Sequence, residues 1–367
     1  MDIINIKKKY RLIIEPTQLT NINTKIKYRL SSNELVNVGG SKKKKQSAGS
    51  FNGINPTVIK SDNEDKKCAP SKELTFNSCY LLEDLIDMCN AFNIYVDMKL
   101  INKPKINISN SKEQLVLQLD DRLNDTCLDQ LCWSKQEFIR LANNKKSIKE
   151  NTFRPSGPNG QFTWLNTSNI TQVLEQHHDV YPNFKYLGTV PMDFDKLPQL
   201  GIKNLDFDEL YNNNIHQIGI VFNTDNHNES GSHWIALFAN INEFKIYYFD
   251  SYGLPPEDRV RILVNRIAKW CCIKHNKPIT EPNDIFMNDD HKIKNNIESL
   301  DNVDIRFNTN RHQYKGSECG VYCMNFILRM LKGETFDEYN KNKLLDDTVN
   351  QCRQKYFIVD NNNDNDD

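Results

Sequence analysis

Cys319 is the residue of this chain whose type and position are best suited to chemistry. It stands where a polar, glycine-containing turn passes into an apolar helical repeat that continues to Leu331. This pattern predicts a thiol at a helix N-terminus, where the helix dipole and free backbone N–H groups favour the nucleophilic thiolate. Gly320 would let an acyl group on the sulfur approach the backbone closely. The alternative is a buried core cysteine, because free cysteine is among the most buried residue types.

A thiol nucleophile needs a base, and His233 is the histidine with a suitable position. It follows a flexible polar loop at residues 226–232 and precedes the apolar stretch Trp234–Phe238, which predicts a strand. An imidazole at the mouth of this strand could hold the thiolate as an ion pair and later protonate the departing amine. His312 is a rival, because it lies close to Cys319 in the sequence. A structural or merely solvated histidine is the alternative.

Asp250 ends the next predicted strand, directly before the turn residues 251–253. A hairpin between the two strands would bring its carboxylate towards His233. A carboxylate that accepts a hydrogen bond from the imidazole fixes the tautomer and stabilises the imidazolium form. Taken alone, a strand-end aspartate is explained equally well as a cap of the turn that follows.

Gln313 lies six positions before Cys319, across a short predicted turn. Its side-chain amide could donate to an oxyanion together with the backbone N–H of Cys319. A lone glutamine is ordinarily a surface residue, so this assignment depends on the order of all four residues. That order, with His233, Asp250 and Gln313 preceding Cys319, is much rarer than its members and predicts the active site of a cysteine protease.

The elements that must position these residues predict an α+β fold with a mixed sheet flanked by helices. Apolar alternation predicts strands at 217–222, 234–239, 244–249 and near Ile305, and apolar periodicity predicts helices after Trp164 and at 256–272 and 319–331. The alternating residues 245–249 suit a sheet with one face packed under helices.

The chain divides into four predicted segments. Residues 1–70 form a flexible arm that cannot bury much surface, 71–150 a small helical domain, 151–358 the catalytic domain and 359–367 a disordered acidic tail. A cluster of turn formers at 154–160 marks the boundary of the catalytic domain. The helical domain depends on two sets of apolar residues, Leu81, Leu82, Leu85, Ile86, Met88 and Cys89, and Leu128, Leu131, Cys132, Phe138, Ile139 and Leu141.

Bulk composition excludes several classes of function. With 47 basic and 48 acidic residues, charge gives no reason to expect nucleic acid or an anionic membrane as partner. No signal peptide or spanning apolar run is visible, so we expect a soluble protein made in the cytosol. The ten cysteines are therefore interpreted as reduced thiols. Neither Cys127/Cys132 nor Cys319/Cys323 has a partner pair at zinc-finger spacing, and we predict no metal and no cofactor.

At these residues the chain resembles the ubiquitin-like-protein protease superfamily of cysteine peptidases, which includes SUMO proteases, the adenovirus protease and polyprotein-processing proteases of asfarviruses and poxviruses. The resemblance covers residues 151–358 and implies their catalytic fold, papain-like in site arrangement. Four motifs are similar to those of the family: the histidine box His233-Trp234, the aspartate box Phe249-Asp250-Ser251, the glutamine-to-cysteine block from Gln313 to Tyr322, and the opening motif Trp164-Leu165-Asn166.

The resemblance also implies a substrate. In SUMO proteases the tryptophans of two of these motifs flank the Gly-Gly of the substrate, so Trp164 and Trp234 become candidate walls of a narrow tunnel. Two indole faces can pack against an extended backbone, and any side chain larger than hydrogen would clash there. Ordinary core packing is the alternative for both residues.

Two departures from SUMO proteases favour the viral members of the superfamily. Glu318 stands where SUMO proteases normally have Asp, and the helical N-terminal region differs from a typical deconjugase. The asparagine-rich composition also resembles that of a large cytoplasmic DNA virus. This implies an endopeptidase of the viral factory and virion that cuts structural polyproteins at Gly-Gly-X or Ala-Gly-X during virion maturation. A SUMO or ubiquitin-like deconjugase and a catalytically idle, protease-like binding module are the alternatives.

The predicted arm contains sequences of its own interest. Gly39-Gly40-Ser41 and Ala48-Gly49-Ser50 match the implied cleavage pattern, so the arm could be self-cleaved, although a linker also contains glycine. The lysines at 42–45 could contact nucleic acid, but lysines in such a segment are more often just solvated. Nucleic acid is therefore not expected as a partner, and the oligomeric state stays open.

Overall fold

The computed structural model describes residues 67–158, 160, 162–276 and 303–358. Most of the predicted arm and the predicted tail at 359–367 lie outside the described residues. The same holds for Gly40, Gly49 and the lysines at 42–45. The four-segment division of the chain stays a prediction.

The described residues contain a helical region followed by a mixed α and β region. The helical region comprises α1 (Leu82–Asp97), α2 (Lys112–Leu123), α3 (Gln130–Trp133) and α4 (Lys145–Glu150). The mixed region comprises α5 (Thr167–Glu175), β1 (Phe184–Pro191), α6 (Phe207–Asn212), β2 (Gln217–Asn223), β3 (Trp234–Asn240), β4 (Lys245–Phe249), α7 (Asp258–Lys274), β5 (Asp304–Phe307), α8 (Cys319–Leu331), α9 (Phe336–Lys341), α10 (Asp346–Gln351) and α11 (Arg353–Tyr356). The predicted strands and helices of the mixed region are confirmed to within a few residues.

The five strands form one sheet in the order β1-β2-β3-β4-β5. β2, β3 and β4 pair antiparallel, whereas β1 pairs parallel with β2, and β5 pairs parallel with β4. The start of β3 and the ends of β4 and β5 therefore lie at one end of the sheet. We call this the His233 end, because His233, Asp250 and the segment leading to Gln313 occur there.

Strand β1 was missing from the sequence prediction. Its pairing register with β2 shifts between Tyr186 and Thr189, and Gly188 in between has a positive φ of 124°. A bulge of this kind inserts an extra residue and breaks the alternation by which a strand is recognised. The chain thus gains a fifth strand that the hydrophobic pattern conceals.

Helices cover both faces of the sheet, which confirms the predicted mixed sheet flanked by helices; the alternation at 245–249 had indicated one such face. On β3, Ile235, Leu237 and Ala239 pack in the core that contains α7. Trp234, Ala236 and Phe238 alternate with them and pack in the core that contains α8. Every residue of β3 is buried, because it is the central strand of the sheet and is covered on both sides.

The helical region has a hydrophobic core of its own, which includes Tyr80, Phe92, Leu119 and Trp133. Helix α2 contributes its apolar face to this core and was not predicted. The prediction for Leu128 is wrong, because its side chain is fully exposed just before α3. Short helices follow Leu128, so the helical periodicity of the apolar residues is broken between Leu128 and Phe138.

Two disulfides in the helical region contradict the prediction that all cysteines are reduced thiols. Cys68 bonds to Cys79, and Cys127 bonds to Cys132. The partners are only 11 and 5 positions apart, so the short local chain path brings them together without any regular cysteine spacing in the sequence. Cys319 is a free cysteine.

Candidate active site

His233 and Asp250 meet at the His233 end of the sheet. His233 immediately precedes β3, and Asp250 immediately follows β4, so the antiparallel pairing of these strands places them side by side. The His233 Nε2 and the Asp250 Oδ1 are 2.7 Å apart, and both side chains are buried. The structure therefore brings together two of the predicted site residues.

The Asp250 carboxylate is held in place by the turn that follows it. Its Oδ1 also accepts the backbone N–H of Tyr252 at 2.8 Å, and the Gly253 N–H donates to the Asp250 carbonyl at 2.8 Å. Gly253 has a φ of 76°, and a Cβ at that position would lie 2.8 Å from the carbonyl oxygen of Thr309. Only glycine fits this close approach without strain.

The segment after β5 is locked to the same turn. The Asp250 N–H donates to Asn308 Oδ1 at 2.9 Å, and Asn308 Nδ2 donates to the Asp250 carbonyl at 2.6 Å. The backbone N–H groups of His312 and Gln313 both donate to the Ser251 carbonyl at 2.8 Å. The loops after the parallel strands β4 and β5 thereby form one rigid support.

The loop before His233 is also tied down, although a flexible loop was expected. Asp193 accepts both the backbone N–H of His227, at 2.9 Å, and its Nδ1, at 2.7 Å. Ser232 Oγ donates to Asp225 Oδ1 at 2.7 Å. These contacts fix the approach of the chain to His233.

His233 is poised to be charged. Burial alone would lower its pKa, but the Asp250 charge and hydrogen bond, together with the Cys319 thiol, raise the pKa of His233 from 6.5 to about 10. Because Nε2 is engaged by Asp250, Nδ1 is the ring nitrogen left for the thiol. The Tyr252 ring stacks on the imidazole, with the ring centroids 4.4 Å apart and the planes at 17°. The imidazolium is thus favoured and its ring is held from one face.

Cys319 is the first residue of α8 and is buried in the core against the sheet. The first N–H groups of a helix have no intrahelical acceptor, so they are available next to the sulfur. Ahead of Cys319, the carboxylate of the buried Glu318 accepts the Ser317 N–H and hydroxyl, both at 2.9 Å. These two hydrogen bonds stabilise the turn that directly precedes the Cys319 thiol.

Arg353 supports the turn from behind. Its Nη2 donates to the Ser317 carbonyl at 3.1 Å, and its Nε donates to Asn350 Oδ1 at 2.6 Å. Burial lowers the pKa of Arg353, while the nearby Glu318 and Cys319 act in the opposite direction. A buried guanidinium on a later helix therefore lies close to the Cys319 thiol.

Gln313 is fully buried, and its amide is oriented from both sides. The Ser251 hydroxyl donates to Gln313 Oε1 at 2.7 Å, and Gln313 Nε2 donates to the Lys315 carbonyl at 2.7 Å. This uses one of the two Nε2 hydrogens. The other remains for a ligand, which is what an oxyanion donor requires.

The two tryptophan motifs lie next to each other. Trp234 is buried, and its indole N–H donates to the Leu165 carbonyl at 2.9 Å. The adjacent Trp164 is 40% exposed, so its ring can contact a bound peptide. Gly320 lies against this motif too, because a Cβ there would come within 3.1 Å of Leu165. The residue that approaches Gly320 closely in this structure is therefore Leu165 of the same chain.

His312, the rival base, is a packed core side chain. Its ring lies edge-on to Phe249 and stacks on Tyr339, with centroid distances of 5.2 and 5.7 Å. Burial lowers the pKa of His312 to about 4. His312 is therefore an uncharged ring enclosed by aromatic neighbours, which is a structural role.

Sequence reasoning missed three residues that shape this site. Tyr252 lies in a turn that was considered only as one that Asp250 could cap, and an aromatic residue directly after the aspartate box was the available signal. Asn308 and Arg353 reach the site from distant parts of the chain. No local pattern in the sequence distinguishes them from surface residues.

Comparisons with known proteins agree with this fold. The sequence profile described as the Ulp1 protease family, C-terminal catalytic domain, matches residues 217–365. A protein of Acanthamoeba polyphaga mimivirus that is named as a thiol protease shares 33% identity over 303 residues, which are 79% of this chain and 92% of that protein. The chain belongs to the Ulp1 protease family and is a cysteine peptidase. This contradicts the alternative of a catalytically idle binding module.

More distant relatives come from African swine fever virus. A SUMO-1 cysteine protease of that virus shares 22% identity over 225 residues, which are 57% of this chain and 73% of that protein. The crystal structure of the viral pS273R protease superposes with a TM-score of 0.51 at 17% identity and covers 80% of this chain and 96% of that one. That similarity shows a shared fold.

None of the helices among the described residues is both long enough and apolar enough to cross a membrane. No group of three or more histidine, cysteine and acidic side chains in the described part of the chain could hold a metal ion.

Proposed function

We propose that this peptidase cleaves after Gly-Gly or Ala-Gly in a viral structural polyprotein during virion maturation. Cys319 is the nucleophile, His233 the base, Asp250 its orienting carboxylate and Gln313 an oxyanion donor. The observation that carries the proposal is the buried His233–Asp250 pair, 2.7 Å apart, beside a thiol at the first residue of α8.

The geometry supports a two-step hydrolysis. The Cys319 thiolate attacks the scissile carbonyl carbon, and the Cys319 N–H and the second Nε2 hydrogen of Gln313 stabilise the resulting oxyanion. The His233 imidazolium then gives its Nδ1 proton to the departing amine, and the C–N bond breaks to leave a thioester. In the second step His233 takes a proton from water, which hydrolyses the thioester and restores the thiol.

Selection for glycine is supported by the position of the tryptophan motifs. The Leu165 carbonyl accepts the indole N–H of Trp234, and the Leu165 side chain lies close to Gly320, which follows the nucleophile. The acyl segment of the substrate would pass Trp164 as it reaches the sulfur. A side chain on the last residue, or one larger than the alanine methyl on the residue before it, would clash in a narrow passage, so specificity arises by steric exclusion.

The direct test is cleavage of Gly-Gly-X and Ala-Gly-X peptides by the wild type, Cys319→Ala and His233→Ala. We expect cleavage after the second residue by the wild type and none by either variant. Cys352→Ala, which removes a different free cysteine outside the site, is the matched control and should stay active. Equal activity of the wild type and Cys319→Ala would overturn the proposal.

The arm provides a substrate in the same chain. Gly40 and Gly49 end sequences of the proposed type, and we propose that the enzyme cuts itself after one of them. N-terminal sequencing should find a new terminus at Ser41 or Ser50 in the wild type and an intact Met1 in Cys319→Ala. The same intact terminus in both proteins would sink this part of the proposal.

A deconjugase is the second candidate, favoured by the family description and by the name SUMO-1 cysteine protease of its relatives. Such an enzyme gains much of its affinity from the folded modifier and is poor on short peptides. Rates on Gly-Gly-X peptides and on intact ubiquitin-like fusions therefore separate the two. We expect comparable rates, whereas a large preference for the folded fusion would favour the deconjugase.

A further inference from the structure

A column of stacked side chains leads outwards from His233. Tyr252 lies on the imidazole, and the Arg311 Cζ is 5.1 Å from the centroid of the Tyr252 ring. The same Cζ is 5.1 Å from the centroid of Tyr314, and the Lys343 Nζ is 4.6 Å from that centroid. We call Tyr252, Arg311, Tyr314 and Lys343 the cationic stack.

Both cations of the stack have neutral partners. Arg311 Nε donates to the Gln313 carbonyl at 2.6 Å, and Lys343 Nζ donates to the Arg311 carbonyl and, at 3.2 Å, to the Tyr314 hydroxyl. Within the described ranges, no carboxylate is in ion-pair contact with either side chain. The neighbouring Lys315 differs, because it pairs with Asp347. The stack therefore holds two positive charges close together without an anion between them.

Such an arrangement fits an acidic ligand. The guanidinium is a planar fork of donors that matches a carboxylate, and Arg311 has its Nη atoms left for one. Stacking between two tyrosine rings fixes this fork before any ligand arrives, which reduces the entropy lost on binding. Arg311 and Tyr314 are both exposed, so a substrate can reach them.

The position of the stack relative to the chemistry indicates which part of the substrate it would meet. His233 gives its proton to the departing amine, so the segment that begins with this amine must leave beside the imidazole and the Tyr252 ring that covers it. Arg311 is one stacking step further out. At about 3.3 Å per residue of extended chain, this corresponds to roughly the second or third residue after the scissile bond.

We propose that Arg311 and Lys343 form a subsite for an acidic side chain, Asp or Glu, on the leaving side of the scissile bond. This inference rests on the proposed function, since it assigns a substrate preference to the same site. It divides recognition into two parts: exclusion of side chains before the bond and attraction of a carboxylate after it.

The test uses peptides that share Gly-Gly before the bond and carry Glu or Gln at the second or third residue after it. The wild type should cleave the Glu peptide with a kcat/KM about tenfold higher, mainly through a lower KM, and added salt should reduce this ratio. Arg311→Gln and Lys343→Gln should each move the ratio towards one. Lys341→Gln removes an exposed lysine outside the stack and should leave the ratio at its wild-type value.

A charge-reversed variant gives a stricter test. Arg311→Glu should change the preference, so that a Lys peptide is cut better than the Glu peptide. If the variants slow the Glu and Gln peptides equally, Arg311 merely supports Tyr252, and the subsite does not exist. The same conclusion follows if the wild type cleaves both peptides at equal rates.

Binding to Cys319→Ala separates this inference from the proposed function. Fluorescence anisotropy with the labelled Glu and Gln peptides requires no cleavage. Tighter binding of the Glu peptide that is lost on adding Arg311→Gln supports the subsite, even if the wild type cuts neither peptide. Equal binding of the two peptides overturns it, even if the wild type cuts both.

Discussion

Charged side chains have different surroundings at the two ends of the sheet. At the His233 end, the side chains of His233 and Asp250 are 7% and 4% exposed and contact each other directly. Towards the starts of β4 and β5, Arg306 of β5 pairs with Asp304 and with Asp337, whose side chain is 79% exposed. Ion pairs in water contribute little, whereas a buried charge depends on every partner that it has. One end of the sheet is therefore sensitive to single substitutions, and the other is tolerant.

Among the substitutions that test this difference between the two ends of the sheet, Asp250→Asn should have the largest effect. Asparagine keeps an oxygen for the Tyr252 N–H but cannot stabilise an imidazolium, so we expect kcat to fall by roughly 10²-fold or more with little change in KM. Steady-state kinetics on a Gly-Gly-X peptide measures this. A variant that keeps the wild-type kcat would remove Asp250 from the catalytic group.

Arg353→Met should be next in size. It removes the hydrogen bonds to Ser317 and Asn350 and takes a buried positive charge away from buried Glu318, which should cost about 2–4 kcal/mol of unfolding free energy. Because the turn before Cys319 loses its support, kcat should fall as well. Chemical denaturation and peptide kinetics measure the two effects.

Arg353→Lys is the matched variant for this prediction. It keeps the charge but not the fork that reaches two acceptors, so it should recover part of the stability and part of kcat. If Arg353→Met loses stability while its kcat is unchanged, Arg353 supports the fold without positioning the nucleophile.

These residues show how far the sequence reaches. Cys319, His233 and Asp250 could be predicted because each stands at the end of an element with a clear apolar pattern. The pairing of β3 and β4 then brings His233 and Asp250 together. Arg353 and Asn308 could not, because their role depends on which distant segments the fold brings together. β1 was hidden by its bulge, and the short-range disulfides were hidden by the lack of a regular cysteine pattern.

The pH dependence of stability should also differ between the two ends. The pKa of His233 rises from 6.5 to about 10 on folding. Its contribution to the free energy of unfolding is thus fully present below pH 6.5 and is lost as pH rises through about 10. Denaturation from pH 6 to pH 10 should show a steeper loss of stability for the wild type than for Asp250→Asn. Parallel pH profiles would contradict the charged form of His233.

Asp337→Asn, at the opposite end of the sheet, should have the smallest effect. Its carboxylate contacts Arg306 with both oxygens at 2.8 Å, which is good geometry, but it is mostly in water. Arg306 keeps Asp304 as a second partner. We expect a loss of at most about 1 kcal/mol, reduced further by salt, with no change in kcat. A loss of activity would mean that the two ends of the sheet are coupled, because the substitution lies at the end opposite to Cys319 and His233.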